Sequence, residues 1–121
     1  MKDRILIVDD NREFLDELGE LLRLSGYDMV AVGDAESALK AAVKEKPDAV
    51  LLDLKMPGKS GFQLAGELRH IPDMDAVPII AMSGFFKDIY QPLMNICGIK
   101  KCIRKPFTPL DVITAIEEAL K

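Results

Sequence analysis

The sequence predicts a single α/β domain in which a mostly parallel sheet carries helices on both faces. Three runs are apolar without alternation, which is typical of strands covered on both sides: residues 5–8, 49–52 and 77–82. Patterns with the helical period of about 3.6 residues separate these runs. Strands that alternate with helices favour parallel pairing through right-handed crossovers, so we expect three layers with the sheet in the middle.

Five strand and helix units are predicted along the chain. Gly26 is expected to close the first helix, because glycine favours the backbone conformation that ends helices. Asp34 and Thr108 have side chains that cap helices, so they are expected to precede the second and fifth helices. The remaining elements are two strands over residues 27–32 and 101–104 and two helices over residues 62–70 and 86–97.

The composition limits the size and the class of the protein. Of 121 residues, 49% are hydrophobic and 30% are charged, which suits one folded domain over residues 1–121 and excludes a disordered chain. A net charge of −4 argues against nucleic acid binding by this chain. Neither a membrane span nor a signal peptide is present in the sequence, so we expect a cytoplasmic protein. Cys97 and Cys102 fit no disulfide or zinc pattern, so we expect reduced thiols.

Polar side chains stand at the ends of the predicted buried strands. Asp9 and Asp10 follow the first strand and Asp53 ends the third. Ser83 ends the fourth strand and Lys105 follows the fifth. Because the carboxyl ends of parallel strands meet at one edge of the sheet, where ligands collect, we expect these five side chains to converge.

Three converging carboxylates require a cation or protons, because each pair repels by about 4 kcal/mol at about 4 Å in a protein environment. Oxygen ligands without histidine or thiolate favour a hard ion, and a shallow site suits Mg²⁺ better than Ca²⁺. An ionised aspartate beside a lysine and a hydroxyl can also accept a phosphoryl group. The chain lacks a Gly-rich phosphate loop, so a nucleotide is not the expected phosphate donor.

Residues 5–11, 51–58 with Gly61, 83–84 and 105–107 closely resemble the receiver domain of two-component response regulators, and the resemblance covers the whole chain. Ser83 lies 30 residues after Asp53, and Lys105 lies 52 residues after it, as in that family. The resemblance implies a doubly wound, flavodoxin-like (βα)5 fold with strand order 2-1-3-4-5.

The resemblance also implies a role for each polar residue of the motif. Asp53 is the expected phosphoacceptor. Asp10, Asp53 and the backbone carbonyl of Lys55 are the expected ligands of Mg²⁺, for which Mn²⁺ can substitute, and Asp9 is expected to act through a water. Lys105 is expected to pair with Asp53 before phosphorylation and with the phosphoryl oxygens after it. Ser83 is the expected hydroxyl that reaches for the phosphoryl group, and the bond before Pro106 is typically cis in the family.

By the same resemblance, the protein is a signalling switch and not a turnover enzyme. Its expected partner is a histidine kinase or a histidine phosphotransfer protein, whose phosphohistidine supplies the phosphoryl group. Phosphorylation is expected to shift the face formed by helix 4, strand 5 and helix 5 and so control an output domain or a target protein.

The sequence departs from the family pattern three residues before Lys105, where receivers usually carry an aromatic ring. Cys102 stands there, and a thiol has no ring that can rotate with the hydroxyl residue. We therefore hypothesise that the output signal runs through the segment after Ser83, where Phe85, Phe86 and Tyr90 cluster.

Three other classes of function compete with this interpretation. A phosphohydrolase with an aspartyl nucleophile usually has a second aspartate two residues later, and Lys55 stands there instead. A flavin carrier needs a hydroxyl-rich loop where this chain has Asp9 and Asp10. A binding module that works without phosphate stays open because of Cys102. The aspartates can also serve as helix caps, since Asp10 and Glu13 imitate a capping box.

Overall fold

The computed structural model of the protein describes residues 2–56, 58–84, 90–105 and 107–121. Strands and helices alternate along these residues. In chain order they are β1 (Arg4–Val8), α1 (Arg12–Leu24), β2 (Asp28–Val32), α2 (Ala35–Glu45), β3 (Ala49–Asp53), α3 (Gly61–Arg69), β4 (Ile79–Ser83), α4 (Tyr90–Cys97), β5 (Ile99–Arg104) and α5 (Pro109–Leu120).

The five strands form one sheet in the order β2-β1-β3-β4-β5, and every neighbouring pair is parallel. Two apolar layers cover its faces. One layer packs the sheet against α2, α3 and α4, and the other packs it against α1 and α5. The predicted three-layer α/β fold and its strand order are therefore confirmed. Among the described helices, none has the length and apolar character that crossing a bilayer requires.

Strand β5 begins two residues earlier than predicted, at Ile99 and not at residue 101. Gly98 precedes it with a φ of 73°, a left-handed conformation that ends α4 and lets the strand begin at once. Ile99 is buried opposite Ile79, whereas Lys100 and Lys101 are exposed. The start of β5 could not be predicted from the hydrophobic pattern, because these two exposed lysines interrupt it on an edge strand.

The caps predicted for α2 and α5 are confirmed. Asp34 caps α2, and Thr108 forms a reciprocal capping box with Asp111 at the start of α5. At α1, however, Asn11 is the cap, and its Oδ1 accepts a hydrogen bond from the Phe14 amide at 3.1 Å. Capping therefore does not explain the carboxylate of Asp10.

Candidate functional site

The parallel sheet brings the polar strand ends together, as the sequence predicts. Asp9 directly follows β1, Asp53 is the last residue of β3 and Ser83 is the last residue of β4. The backbone fixes the fifth strand end in place, because the amide of Lys105 donates to the carbonyl of Ser83 at 2.7 Å. Lys105 therefore leaves the sheet directly beside the strand that ends in Ser83.

Asp9, Asp10 and Asp53 form one acidic cluster. A carboxylate oxygen from each residue lies within 4.8 Å of one from each of the others. Asp9 and Asp53 are buried and Asp10 is exposed. The two buried side chains are oriented by the backbone, because Oδ1 of Asp9 accepts from the amide of Asn11 at 2.9 Å and Oδ1 of Asp53 accepts from the amide of Lys55 at 3.0 Å.

The ammonium group of Lys105 reaches both buried carboxylates. Its Nζ lies 3.2 Å from Oδ2 of Asp9 and 3.7 Å from Oδ2 of Asp53. The predicted neighbour Asp53 is thus within ion-pair distance, but Asp9 is the nearer partner. The cluster has three carboxylates and Lys105 pairs with two of them, so the site keeps an excess of negative charge.

Burial raises the pKa of Asp53 above its ordinary value. The hydrogen bond from the Lys55 amide opposes this rise, as does the charge of Lys105, while the carboxylates of Asp9 and Asp10 add to it. A higher pKa means that the fold penalises the ionised form of Asp53. Added positive charge would relieve that penalty.

The chemistry of the acidic cluster fits a hard divalent cation. Its ligands are carboxylate oxygens, one of them on the exposed side chain of Asp10, and neither histidine nor thiolate takes part among the residues that the structure describes. This set suits Mg²⁺, which prefers oxygen ligands and keeps several waters. The structure places Lys55 next to the cluster through its amide, and the role of its carbonyl stays a prediction.

A cavity of about 670 Å³ adjoins the acidic cluster, and Ser83, Lys55 and Tyr90 are among its lining residues. The Tyr90 ring packs edge to face against Phe62, with 5.2 Å between the ring centroids. Ser83 and Tyr90, which the sequence groups as switch residues, therefore share one cavity. Phe85, Phe86 and Pro106 lie outside the described residues, so their predicted roles are untested.

Cys102 occupies β5 opposite Ala81 and is packed against the apolar layer beneath α4. Burial raises the pKa of this thiol, and Arg104 opposes the rise. Burial also raises the pKa of Cys97. Neither cysteine is in a disulfide, and burial disfavours the thiolate form of both. Their reduced state stays a prediction.

Gly61 permits a close approach between α3 and the chain that follows Asp53. Its amide donates to the carbonyl of Leu54 at 3.0 Å. A Cβ at this position would lie 2.5 Å from the Leu54 Cα and 2.7 Å from the Asp53 carbonyl oxygen. The glycine in the quoted motif is therefore a steric requirement of the site.

Two aromatic residues near Lys105 were not among the predicted site residues. Nζ of Lys105 lies over the ring of Phe14, 5.2 Å from its centroid. The ring of Phe14 in turn packs edge to face against Phe107, with centroids 5.7 Å apart. In the sequence pattern Phe14 has only an apolar helical position, and the sole hint was that Phe107 follows Lys105 by two residues.

Curated relatives of the chain are response regulators. The DNA-binding response regulator MtrA of Mycobacterium tuberculosis is 33% identical over 121 residues, which are 100% of this chain and 52% of that protein. The alkaline phosphatase synthesis transcriptional regulatory protein PhoP of Bacillus subtilis is 32% identical, and the match covers 100% of this chain and 50% of that protein. The chain thus spans about half the length of the curated relatives it matches.

Solved structures with the same fold include the chemotaxis protein CheY4 of Vibrio cholerae, with a TM-score of 0.96. At 22% identity, covering 99% of this chain and 100% of that one, this likeness shows the fold. The receiver domain of the sensor histidine kinase PA1611 of Pseudomonas aeruginosa has a TM-score of 0.88 and 25% identity, covering 99% and 98% of the two chains. That structure has a magnesium ion coordinated in its active site cleft.

The family itself is shown by a match along most of the chain. The model of the response regulator receiver domain matches residues 5–117, from β1 into α5. The matched range includes the acidic cluster, Ser83 and Lys105. The chain therefore belongs to the receiver domains of two-component response regulators.

Proposed function

We propose that the chain is a phosphoacceptor switch in which Asp53 takes a phosphoryl group from a partner's phosphohistidine. The partner is a histidine kinase or a histidine phosphotransfer protein. The observation that carries the proposal is the position of Asp53 within ion-pair distance of Lys105 inside the acidic cluster. Phosphoryl transfer needs a nucleophile that is held in place and positive charge beside it. Asp53 is a buried carboxylate that the backbone orients, and the ammonium of Lys105 faces it.

The bonds that form and break involve only the carboxylate and the donor. A carboxylate oxygen of Asp53 attacks phosphorus, so an O–P bond forms while the N–P bond of the phosphohistidine breaks. The imidazole nitrogen keeps the electron pair of that bond and takes up a proton. No separate base is needed, because an ionised aspartate is already a nucleophile. The hydrogen bond from the Lys55 amide holds the carboxylate in one orientation during the attack.

Three further groups complete the proposed site. Asp10, Asp53 and the carbonyl of Lys55, with Asp9 through a water, would hold Mg²⁺ or Mn²⁺, and the ion would supply positive charge to the approaching phosphoryl group. Lys105 is close enough to neutralise a phosphoryl oxygen on Asp53, and Ser83 supplies a hydroxyl from the neighbouring strand.

The phosphoryl group acts as a signal, and slow hydrolysis of the aspartyl phosphate resets the protein without making it a turnover enzyme. In this proposal Ser83 moves toward the phosphoryl group and alters the face formed by α4, β5 and α5. Tyr90 at the start of α4 carries the aromatic part of this change, because Cys102 has no ring. The receiver then controls either a further domain of the same polypeptide or a separate target protein. The cytoplasmic location and the lack of nucleic acid binding by this chain stay predictions.

Intact-mass spectrometry under native conditions tests the acceptor directly. The protein is incubated with Mg²⁺ and acetyl phosphate, beside the variants Asp53→Asn and Asp16→Asn. We expect one phosphoryl adduct on the unaltered protein and on Asp16→Asn, whose exposed carboxylate on α1 serves as the matched control. We expect none on Asp53→Asn, and none when Mg²⁺ is chelated. Absence of the adduct from the unaltered protein would favour a binding module that works without phosphate.

A further inference from the structure

We infer that Phe14 is a positioning residue for phosphorylation, and that its ring holds the ammonium group of Lys105 beside Asp53. The inference rests on the proposed function and adds a residue from α1 to the site. Phe14 touches neither the phosphoryl group nor the acceptor in this arrangement, so its effect is exerted through Lys105.

The ring and the carboxylates confine the ammonium group from different directions. Nζ of Lys105 lies over the Phe14 ring at 5.2 Å from the centroid, inside the range of cation–π contacts, and 3.2 Å from Oδ2 of Asp9. The lysine side chain is still 33% exposed. A lysine has a flexible four-carbon stem, so a partly exposed ammonium that is held by ion pairs alone has open routes into solvent. The ring closes one of these routes.

The ring is itself held in place by its own contacts. Phe14 stands in the first turn of α1, and its amide donates to the capping Oδ1 of Asn11. Its ring packs edge to face with Phe107 at an interplanar angle of 70°. Phe107 belongs to the segment that follows Lys105. The ring pair therefore connects α1 with the segment that carries the lysine.

An aromatic ring suits this position better than another carboxylate. The face of the ring attracts the ammonium through its quadrupole and adds no formal negative charge. The acidic cluster already has three carboxylates, and a fourth would raise their mutual repulsion. Phe14 therefore contributes to holding Lys105 without adding to the negative charge of the cluster.

The rate of Asp53 phosphorylation tests the inference. Phe14→Met removes the ring and keeps an apolar side chain, and we expect it to lower the rate with acetyl phosphate at fixed Mg²⁺ by about five-fold. Phe14→Tyr keeps a ring, and we expect this variant to be phosphorylated at the rate of the unaltered protein. Leu21→Met is the matched control and should leave the rate unchanged. Leu21 lies two turns away on the same helix and lines a pocket together with Phe14.

Two measurements separate positioning from a general structural effect. In a Lys105→Met background, Phe14→Met should lower the rate no further, because the ring acts through the lysine. In the metal-free protein, the Hε protons of Lys105 should resonate upfield of those of other lysines through the ring current of Phe14. Lys105→Met assigns this signal without any change at Phe14, so the measurement holds even if Phe14→Met fails to fold.

The outcomes distinguish the inference from the function on which it rests. An unaltered protein that takes no phosphoryl group overturns the proposed function and the positioning role together. An unaltered protein that is phosphorylated at the same rate as folded Phe14→Met overturns the inference alone. An undiminished effect of Phe14→Met in the Lys105→Met background, or an ordinary Hε shift, also overturns it.

Discussion

Charged side chains have different partners at the two edges of the sheet, one formed by the carboxyl ends of the strands and the other by their amino ends. At the carboxyl edge, Asp9, Asp10 and Asp53 form the acidic cluster. Lys105 pairs with Asp9 and Asp53, and negative charge is left in excess. At the amino edge, the guanidinium of Arg69 donates to backbone carbonyls, which are neutral: those of Met74, Val77 and Gly98. The first arrangement is electrostatically unfavourable until a cation binds. The second gives the backbone carbonyls hydrogen bonds without any ligand. The comparison assigns binding to one edge and stability to the other.

Helix α3 joins these two edges. It begins at Gly61, against the chain that follows Asp53, and it ends at Arg69. Arg69 connects the end of α3 with the loop before β4 and with Gly98 at the end of α4. Substitutions along this one helix can therefore separate the effects of the two edges.

The largest effect on stability is expected from Arg69→Met. This variant removes a charged donor from several partly buried carbonyls, so the free energy of unfolding should fall by about 3 kcal/mol. Urea denaturation measures the loss. Arg23→Met, at an exposed arginine on α1, is the control and should change the value by less than about 0.5 kcal/mol. A loss at Arg69 no larger than at Arg23 would contradict the assignment of stability to the amino edge.

Two glycines of α3 should respond to alanine in opposite ways. Gly61→Ala forces a Cβ against the backbone of Leu54 and Asp53, so we expect a loss of about 2 kcal/mol in the free energy of unfolding. Gly66→Ala meets nothing within 4 Å and should stabilise the helix by about 0.7 kcal/mol. Thermal unfolding of both variants measures the difference. A destabilised Gly66→Ala would show that a clash between the added Cβ and the backbone is not what distinguishes the two sites.

Sequence patterns predict the carboxyl edge because its polar residues adjoin the buried strands. Asp9, Asp53 and Ser83 each end or follow an apolar run, and parallel pairing leaves them no other place than one edge. The sequence alone does not choose between Asp10 and Asn11 as the cap of α1, because both residue types cap helices and they are neighbours.

The amino edge and the Lys105 ring contact escape sequence analysis for a different reason. Arg69 reaches Gly98 across 29 residues, and its partners are backbone carbonyls, which every residue possesses. Phe14 has the apolar spacing of an ordinary core position, and its place over Lys105 depends on how α1 packs beside the end of β5. Only the three-dimensional arrangement of these elements reveals such contacts.

A smaller effect, opposite in sign, is expected from Asp53→Asn. Burial raises the pKa of Asp53 in the folded protein, so the fold binds a proton at this group more tightly than the unfolded chain does. The stability of the unaltered protein should therefore fall as the pH rises from the ordinary aspartate value of 3.8 through the raised pKa. Asparagine stays neutral, so the variant should be more stable by about 1 kcal/mol above this window and gain little below it.

Denaturation with urea across this pH range measures the difference, and Mg²⁺ provides its control. Above the window, added Mg²⁺ should stabilise the unaltered protein more than Asp53→Asn, because the variant lacks a carboxylate that we propose as a metal ligand. The difference in stability between the two proteins should then shrink. A variant that is less stable than the unaltered protein at neutral pH would show that the ion pair with Lys105 outweighs the burial of Asp53.

The smallest expected effect is spectroscopic and concerns α4, which has one end at each edge. Tyr90 starts the helix beside Phe62 and the cavity shared with Ser83, while Gly98 after its last residue is held by Arg69. The chain has two tyrosines and no tryptophan, so Tyr27→Phe leaves Tyr90 as the only tyrosine fluorophore. Phosphorylation of this variant should change its tyrosine emission, because the Tyr90 end of α4 moves with Ser83 in the proposed switch. The amide resonance of Gly98 should stay in place.

Each other result changes the interpretation of the two edges. If Gly98 shifts together with Tyr90, the helix moves as one body and the Arg69 contact does not anchor it. If neither responds although the mass shows a phosphoryl adduct, the output does not run through α4. The remaining candidate is then β5, where Cys102 packs beneath the helix opposite Ala81. A thiol in that place would have to transmit the signal by packing alone, since it has no ring to turn.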